Sequence, residues 1–379
     1  MSFRVFELER WQSEYEHSVE YNLADSSVRG ATLGDVLLPE ERDRFFAMEL
    51  AYPMVNGTEL LRDRIAALYR GAGRDNVLVT VGGAEANQIA VQTLIEPGDR
   101  VALMEPGYRQ VYWLVEAQGG VVDAFPLDGS NGWRPDLDQL ARVVTPKTKL
   151  IALVNPNNPT GSILRAEERS RIVEIAGKVG AWILADEVYR GGERHSDEET
   201  PSFYGEYDRV IAVNSLSKAY GLSGVRIGWL VAPPEVYGPL WRRHEYTVIS
   251  AAAPSMRLAE LALSEPIRSR LIARQRSLSR EGWELAERWI HDNFDLVSCA
   301  ASEATSMLFA RYHLPMGSVR VADEIRRQAS VLVAPGEYLG ADEHLRITHG
   351  LGAKTVAPAL ERIGTVLRKL RARRPVAHT

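Results

Sequence analysis

The sequence predicts an α/β fold, with a mostly parallel mixed sheet sandwiched by helices in a large domain and a smaller α+β domain beside it. Apolar strand-like runs alternate with helical periodicity through the first two-thirds of the chain, which is typical of a parallel sheet covered on both faces. After about Glu265 the pattern changes to long helices and short strands. The 379 residues are enough for two such domains.

The predicted elements follow one another in a regular order. Strands of the large domain are expected at 77–81, 100–104, 150–154, 182–185, 210–213 and 227–231. Helices are expected between them at 58–69, 84–94, 137–144 and 166–179. A long helix at 267–293, short strands at 306–311, 331–334 and 344–348, and a last helix at 357–371 follow. We therefore place the large domain at 46–285 and the small domain at 1–45 and 286–379.

Composition excludes several classes of protein. The net charge of −5 offers no basic field for nucleic acid, and no apolar run reaches the roughly 18 residues of a membrane span. The single cysteine, Cys299, excludes an internal disulfide and fits a cytoplasmic location. No metal ligands are predicted.

Lys218 is the most informative residue, because of its neighbours. It lies in Asn-Ser-Leu-Ser-Lys-Ala-Tyr-Gly-Leu, residues 214–222, where an apolar strand gives way to a turn of small residues. A lysine whose pKa is lowered by partial burial and nearby cations can condense with an aldehyde. Taken alone, an exposed lysine is the ordinary alternative.

Two further segments are suited to a phosphate. Arg226 offers a planar fork that binds two phosphate oxygens, and Ser215 can donate a hydroxyl to the same group. Gly82, Gly83 and Ala84 lie between a strand and a helix, where free amides bind anions. A surface salt bridge and a plain strand-to-helix turn are the alternatives.

Polar side chains follow two other strands. Asp186 ends the run Trp-Ile-Leu-Ala and can pair with a protonated ring nitrogen, whereas a helix N-cap is its alternative. Tyr189, three residues later, can donate to a phenolic oxygen. Asn158, in Asn-Pro-Asn-Asn-Pro-Thr-Gly at 155–161, can donate to the same oxygen from a turn fixed by two prolines.

These groups together match what pyridoxal 5'-phosphate requires of a protein: a lysine, an anion site, a carboxylate for the pyridinium and donors for the phenolic oxygen. Tyr108 is a candidate to stack on the cofactor ring, although a core aromatic is the alternative. Arg346, a strand arginine between Leu345 and Ile347, suits the α-carboxylate of an amino acid, with an internal salt bridge as the alternative.

With these motifs in place, the chain resembles the fold-type I pyridoxal-phosphate enzymes, specifically the class I/II aminotransferases. The resemblance implies that Lys218 carries the cofactor as a Schiff base and moves a proton between Cα and C4′ through a quinonoid intermediate. It also implies a homodimer with active sites at the interface, to which Tyr52 comes from the partner subunit. Arg346, with Ser26 and Asn158, would then bind a small amino acid substrate.

The N-terminal segment leaves the reaction type open. Leu8 to Trp11 together with Asp25 to Val28 resemble an offshoot that includes capreomycidine synthase, whose members modify unusual amino acids in natural-product pathways. Transamination of an α-amino acid is the leading interpretation. The alternative is β-elimination or replacement, C–S bond cleavage or cyclisation. A regulator with an aminotransferase-like sensor domain is a third interpretation, which the absence of a basic helix-turn-helix before Ala51 disfavours.

Overall fold

The computed structural model describes residues 3–372, and its largest element is an eight-stranded mixed sheet. The strands of the described chain are β1 (Tyr21–Asn22), β2 (Val77–Thr80), β3 (Arg100–Glu105), β4 (Val121–Asp128), β5 (Arg134–Pro135), β6 (Thr148–Val154), β7 (Trp182–Asp186), β8 (Val210–Ser215), β9 (Gly228–Val231), β10 (Val297–Ser298), β11 (Met307–Tyr312), β12 (Val331–Leu332), β13 (Ala334–Pro335) and β14 (His344–Thr348). The large sheet has the order β2-β9-β8-β7-β6-β3-β4-β5.

The centre of this sheet is parallel. Strands β8, β7, β6, β3 and β4 run in one direction, whereas β9 is antiparallel to both of its neighbours, β2 and β8. In β7, Ile183 and Leu184 face opposite sides of the sheet and both are buried. This is why the strand reads as a continuous apolar run, as strands covered on both faces do.

Helices cover both faces of the sheet and form much of the rest of the chain. They are α1 (Glu7–Tyr15), α2 (Leu33–Val36), α3 (Pro39–Phe46), α4 (Glu59–Ala66), α5 (Gly82–Leu94), α6 (Gln110–Ala117), α7 (Leu137–Val143), α8 (Ala166–Val179), α9 (Pro234–Thr247), α10 (Ala253–Ala262), α11 (Ile267–Asp292), α12 (Ser318–Ala329) and α13 (Ala353–Ala372). Short 3-10 helices cover Arg74–Asn76, Gly129–Asn131, Ser223–Val225 and Gly336–Leu339.

A second, antiparallel sheet has the order β10-β11-β14-β13, and the N-terminal segment packs against it. Strand β1 pairs in parallel with β12, and the indole N–H of Trp11 in α1 donates to the carbonyl oxygen of Val333 at 2.9 Å. These contacts support the division predicted from the sequence, into 46–285 and 1–45 with 286–379, which stays a proposal. Residues 1–2 and 373–379 of that division lie outside the described chain.

The predicted fold class is confirmed, and most predicted elements agree with the structure to within a few residues. The helix predicted at 357–371 begins earlier, at Ala353, and includes Pro358, whose missing N–H leaves the carbonyl oxygen of Lys354 without its usual partner in the helix. The strand predicted at 331–334 is two short strands that pair with different partners. In the described chain, no helix is long and apolar enough to cross a lipid bilayer.

Gly282, in the long helix α11, marks where that helix touches the end of β14. A methyl group there would collide with the backbone carbonyl oxygen of His349. We expect Gly282→Ala to lower the free energy of unfolding by about 1–3 kcal/mol, because helix and strand must separate. Gly238→Ala in α9 is the matched control, since its methyl group meets open space, and should stabilise by about 0.5–1 kcal/mol. Urea denaturation of both variants tests this, and equal midpoints would contradict it.

Candidate active site

A cavity of about 350 Å³ opens where β6, β7 and β8 end, with Val154, Asp186 and Ser215 in its wall. The carboxyl ends of parallel strands meet there, the usual ligand position in open α/β sheets. The opposite wall comes from the small sheet and from the N-terminal segment, through Arg346 and Ser26. The cavity therefore gathers side chains that are far apart in the sequence.

Lys218 projects into the cavity from the loop that follows β8. Its Nζ donates to the hydroxyl oxygens of Ser26 at 2.8 Å and Ser27 at 3.2 Å. The Oδ1 atom of Asp25 lies 3.8 Å from the same nitrogen. The alternative of a solvated surface lysine is thus wrong, because three groups of the N-terminal segment surround the amine.

Asp186 forms the deep wall as the last residue of β7. Its Oδ2 accepts from the amide nitrogen of Asn87 at 2.8 Å, and its Oδ1 accepts from the backbone N–H of Val188 at 3.2 Å. Burial raises the pKa of this carboxyl group, and the two hydrogen bonds offset only part of that rise. A cationic N–H in the cavity is the partner that would remove the cost of the buried charge.

The turn of Gly82, Gly83 and Ala84 begins α5 and faces Arg226. Gly82 has φ +78°, and a side chain there would collide with the guanidinium of Arg226. Arg226 is exposed, has a left-handed backbone (φ 55°) and pairs with no carboxylate among residues 3–372. Ser215 and Ser217 line the same wall. Free amides at a helix start, an unpaired guanidinium and hydroxyl groups form a cradle for a dianion.

Tyr189 and Asn158 lie beside this cradle. The phenol of Tyr189 is buried and its oxygen has no hydrogen-bond partner in the described chain, while burial raises its pKa. The side-chain oxygen of Asn158 accepts from Arg346, which leaves its NH₂ group as the donor. Both residues therefore have a donor to offer to a ligand oxygen, and their predicted role towards a ligand stays a prediction.

Arg346 is only 1% exposed and projects from β14. Its Nη1 donates to Asn158 at 3.0 Å and its Nη2 donates to the carbonyl oxygen of Ala24 at 2.6 Å, whereas Nε has no partner. No carboxylate of residues 3–372 lies within 4.0 Å of it, so the alternative of an internal salt bridge is wrong. Burial lowers its pKa, and an anionic ligand would supply the missing counter-charge.

The other two predicted tyrosines, Tyr108 and Tyr52, have different positions. Tyr108 lines the cavity, and its hydroxyl group donates to Glu9 of α1 at 2.8 Å. Tyr52 is 84% exposed and lies outside the wall of this cavity. Its predicted role needs a second subunit and stays a prediction.

Comparison with known proteins agrees with this geometry. The profile of the family "Aminotransferase class I and II" matches residues 22–363. The chain belongs to this family. Capreomycidine synthase of Streptomyces vinaceus is 28% identical over 94% of the chain and 90% of its own length. Histidinol-phosphate aminotransferase of Symbiobacterium thermophilum is 30% identical, with 80% of each chain covered. The crystal structure of a PLP-dependent aminotransferase from Streptococcus suis superimposes with a TM-score of 0.91 at 32% identity, covering 98% of this chain and 99% of that one.

The chain is thus a pyridoxal-phosphate-dependent transferase, and the cavity fits that cofactor. Pyridoxal phosphate carries a suitable partner for each of three groups in the cavity. These groups are the phenol of Tyr189, the guanidinium of Arg226 and the buried carboxylate of Asp186. These partners are its phenolic oxygen, its phosphate and its pyridinium N–H. The family assignment and the fit therefore support one another.

Sequence reasoning did not assign a role to several residues of the wall. Asn87 holds Asp186, and Gln110 donates to the carbonyl oxygen of Ala84 at 2.8 Å. Asn87 lies four residues after Gly83, one helical turn further on the same face, and this spacing is a usable signal. Glu9 and Asp25 reach the cavity from the N-terminal segment, and no local pattern indicates that.

Arg226 is the residue best suited to a test of the phosphate cradle. We expect Arg226→Gln to weaken the affinity for pyridoxal phosphate by about 10- to 100-fold, since a bond to a charged group contributes about 1.5–3 kcal/mol. Affinity for pyridoxal, which lacks the phosphate, should change little. Absorbance titration of the apoprotein with both compounds measures this. Arg288→Gln, an exposed arginine of α11, is the control. An equal loss of affinity for pyridoxal phosphate and pyridoxal would show that Arg226 does not bind the phosphate.

Proposed function

We propose that the chain is an aminotransferase that acts on an α-amino acid, with Lys218 as both cofactor attachment point and proton carrier. The observation that carries this proposal is the position of two cationic groups in one cavity. The amine of Lys218 and the buried guanidinium of Arg346, which has no carboxylate partner in the described chain, face the same space. The amine can react with an aldehyde, and the guanidinium can bind a carboxylate.

The residues of the chain divide the work between them. Bound pyridoxal phosphate supplies an aldehyde for amines and a ring that accepts electrons from Cα. Lys218 would move a proton at its Nζ between the substrate Cα and the bound cofactor, because Nζ is the amine that lines the cavity. Asp186 keeps a proton on the ring nitrogen, which its burial beside Asn87 favours. Tyr189 and Asn158 donate to the phenolic oxygen.

Other residues bind the cofactor and orient the substrate. Arg226, Ser215 and the turn at Gly83 and Ala84 would hold the cofactor phosphate, and Tyr108, which lines the same cavity, would stack on the cofactor ring. Arg346 receives the substrate carboxylate, because its fork is already oriented by Asn158 and by the carbonyl oxygen of Ala24. Ser26 and Asn158 border the same subsite.

A second candidate function is elimination, replacement, C–S cleavage or cyclisation at the same site. It is supported by the likeness to capreomycidine synthase over 94% of the chain. The turn of Asp25, Ser26 and Ser27 at the lysine also supports it, since added acid–base groups near Cα permit loss of a group from Cβ.

We also propose a cytoplasmic homodimer with active sites at the subunit interface. Large apolar side chains near Tyr52 support a covered surface there: Phe46, Leu50 and Met54 are 81%, 82% and 46% exposed. Exposed apolar patches of this kind mark interfaces. A second subunit would cover them and bring Tyr52 towards a site.

The proposed reaction is tested by mixing the protein with a panel of amino acids, with and without a keto acid, and following cofactor absorbance and products. Formation of a keto acid and the aminated cofactor supports transamination, whereas pyruvate or a dehydrated product supports elimination. We expect Lys218→Ala to abolish both turnover and borohydride-fixed attachment of the cofactor. Lys149→Ala, an exposed lysine of β6, should change neither. Full turnover by Lys218→Ala would refute the assignment.

The carboxylate subsite gives a separate prediction. We expect Arg346→Gln to raise KM for the best amino acid of the panel by about 100-fold or more, because a bidentate charge-assisted pair is lost. The corresponding amine, which lacks the carboxylate, should react equally slowly with both proteins. Steady-state kinetics on the two substrates measures the difference. A loss that is the same for the amine would show a structural rather than a recognition role.

A further inference from the structure

The turn of Asp25, Ser26 and Ser27 is built around the lysine nitrogen. Nζ of Lys218 donates to both serine hydroxyl oxygens, at 2.8 and 3.2 Å, and lies 3.8 Å from Oδ1 of Asp25. Among residues 3–372, no other carboxylate lies within 4.0 Å of this amine. The lysine thus has one charge partner, and that partner comes from a segment 193 residues away in the sequence.

This turn is held by the fold and not by the lysine. Oδ1 of Asp25 accepts from the backbone N–H groups of Ser26 at 2.5 Å and Ser27 at 3.1 Å. Thr348 of β14 fixes the segment on both sides: its N–H donates to the carbonyl oxygen of Leu23 at 2.9 Å and its hydroxyl group to that of Ser27 at 3.2 Å. The carboxylate is therefore preorganised before the amine binds to it.

The charge of Asp25 is stable in this position. The side chain of Asp25 is half exposed; desolvation raises the pKa of its carboxyl group, but the ammonium of Lys218, the N–H of Ser26 and Arg346 together lower it by more, so the net shift is downward. Asp186, by contrast, is held by Asn87 and Val188. The other charged or titratable groups that line the cavity are Glu9, Tyr108, Asp186, Tyr189, Arg226 and Arg346.

We propose that Asp25 is a positioning residue that holds positive charge on the nitrogen of Lys218 while that nitrogen joins the cofactor, and that Ser26 and Ser27 orient the nitrogen. The proposal rests on the function of Lys218 proposed above. Asp25 acts on this nitrogen while it joins the cofactor, and the lysine amine that a substrate amine releases is free to accept a proton. The turn of Asp25, Ser26 and Ser27 would thereby set the proton affinity of the joining nitrogen.

The size of the effect follows from the separation of the charges. Attraction across 3.8 Å in a partly hydrated site displaces a proton equilibrium by about one pH unit or more. The sign is fixed, because a carboxylate favours the protonated nitrogen. Removal of the charge must therefore move the deprotonation of that nitrogen to lower pH.

The test is a pH titration of the cofactor absorption band in the holoenzyme, which moves from the visible to the near ultraviolet when the joining nitrogen loses its proton. We expect Asp25→Asn to lower the midpoint by about one pH unit or more. The asparagine oxygen still accepts from Ser26 and Ser27, so the turn is kept. Asp25→Ser keeps a hydrogen-bond acceptor without the charge, so it should also lower the midpoint. It replaces Asp25→Asn in the test if that variant does not fold.

Glu9→Gln is the matched control, because Glu9 is a second carboxylate of the same cavity but is bonded to Tyr108. We expect its midpoint to move by less than about a third of the Asp25→Asn shift, because Glu9 lies more than 4.0 Å from the nitrogen of Lys218. An unchanged midpoint in both Asp25 variants, or an equal shift in Glu9→Gln, overturns the proposal. A wild-type protein that titrates normally but converts no amino acid would contradict the proposed function and leave this result intact.

Discussion

The site depends on one buried cation, the guanidinium of Arg346. It joins three parts of the chain: strand β14, the loop after β6 through Asn158, and the N-terminal segment through Ala24. A buried charge without a counter-ion is costly, and two hydrogen bonds to neutral oxygens repay only part of that cost. In the proposed function, the carboxylate of a substrate would complete the pairing of this cation.

Much of this site could be predicted because its residues follow strands that are themselves easy to recognise. Asp186 and Ser215 end β7 and β8, whose apolar runs are buried on both faces. Parallel strands bring their carboxyl ends to one edge, so residues at those positions must lie together. The loop with Lys218 and Arg226 follows directly. Sequence order and one rule of topology were enough to place these groups on one side of the cavity.

On the other side of the cavity this rule of topology gives no position: Arg346 was predicted from its strand context, Ser26 came from the family resemblance, and other residues there were missed. Asp25 and Glu9 reach it only because β1 pairs with β12 over two residues and α1 packs beside β13. A two-residue strand has no periodicity to read, and its partner lies about 310 positions away. The same holds for Asn87, whose function depends on its contact with Asp186 across 99 positions. Tyr52 is a different case, because the surface that it lies on is defined only by a second copy of the chain.

Two carboxylates in the finished cavity differ in the direction in which their surroundings move their pKa values. Burial dominates at Asp186 and raises its pKa, whereas the sum of neighbouring donors and cations lowers the pKa of Asp25. Opposed pKa shifts of this kind allow two carboxyl groups of one site to have different functions. Asp186 gains most from a cationic ring nitrogen deep in the cavity, while Asp25 stays ionised beside the amine that exchanges protons. In the proposed function, the large sheet would supply the partner of the cofactor ring through Asp186, and the N-terminal segment supplies the charge partner of Lys218 through Asp25.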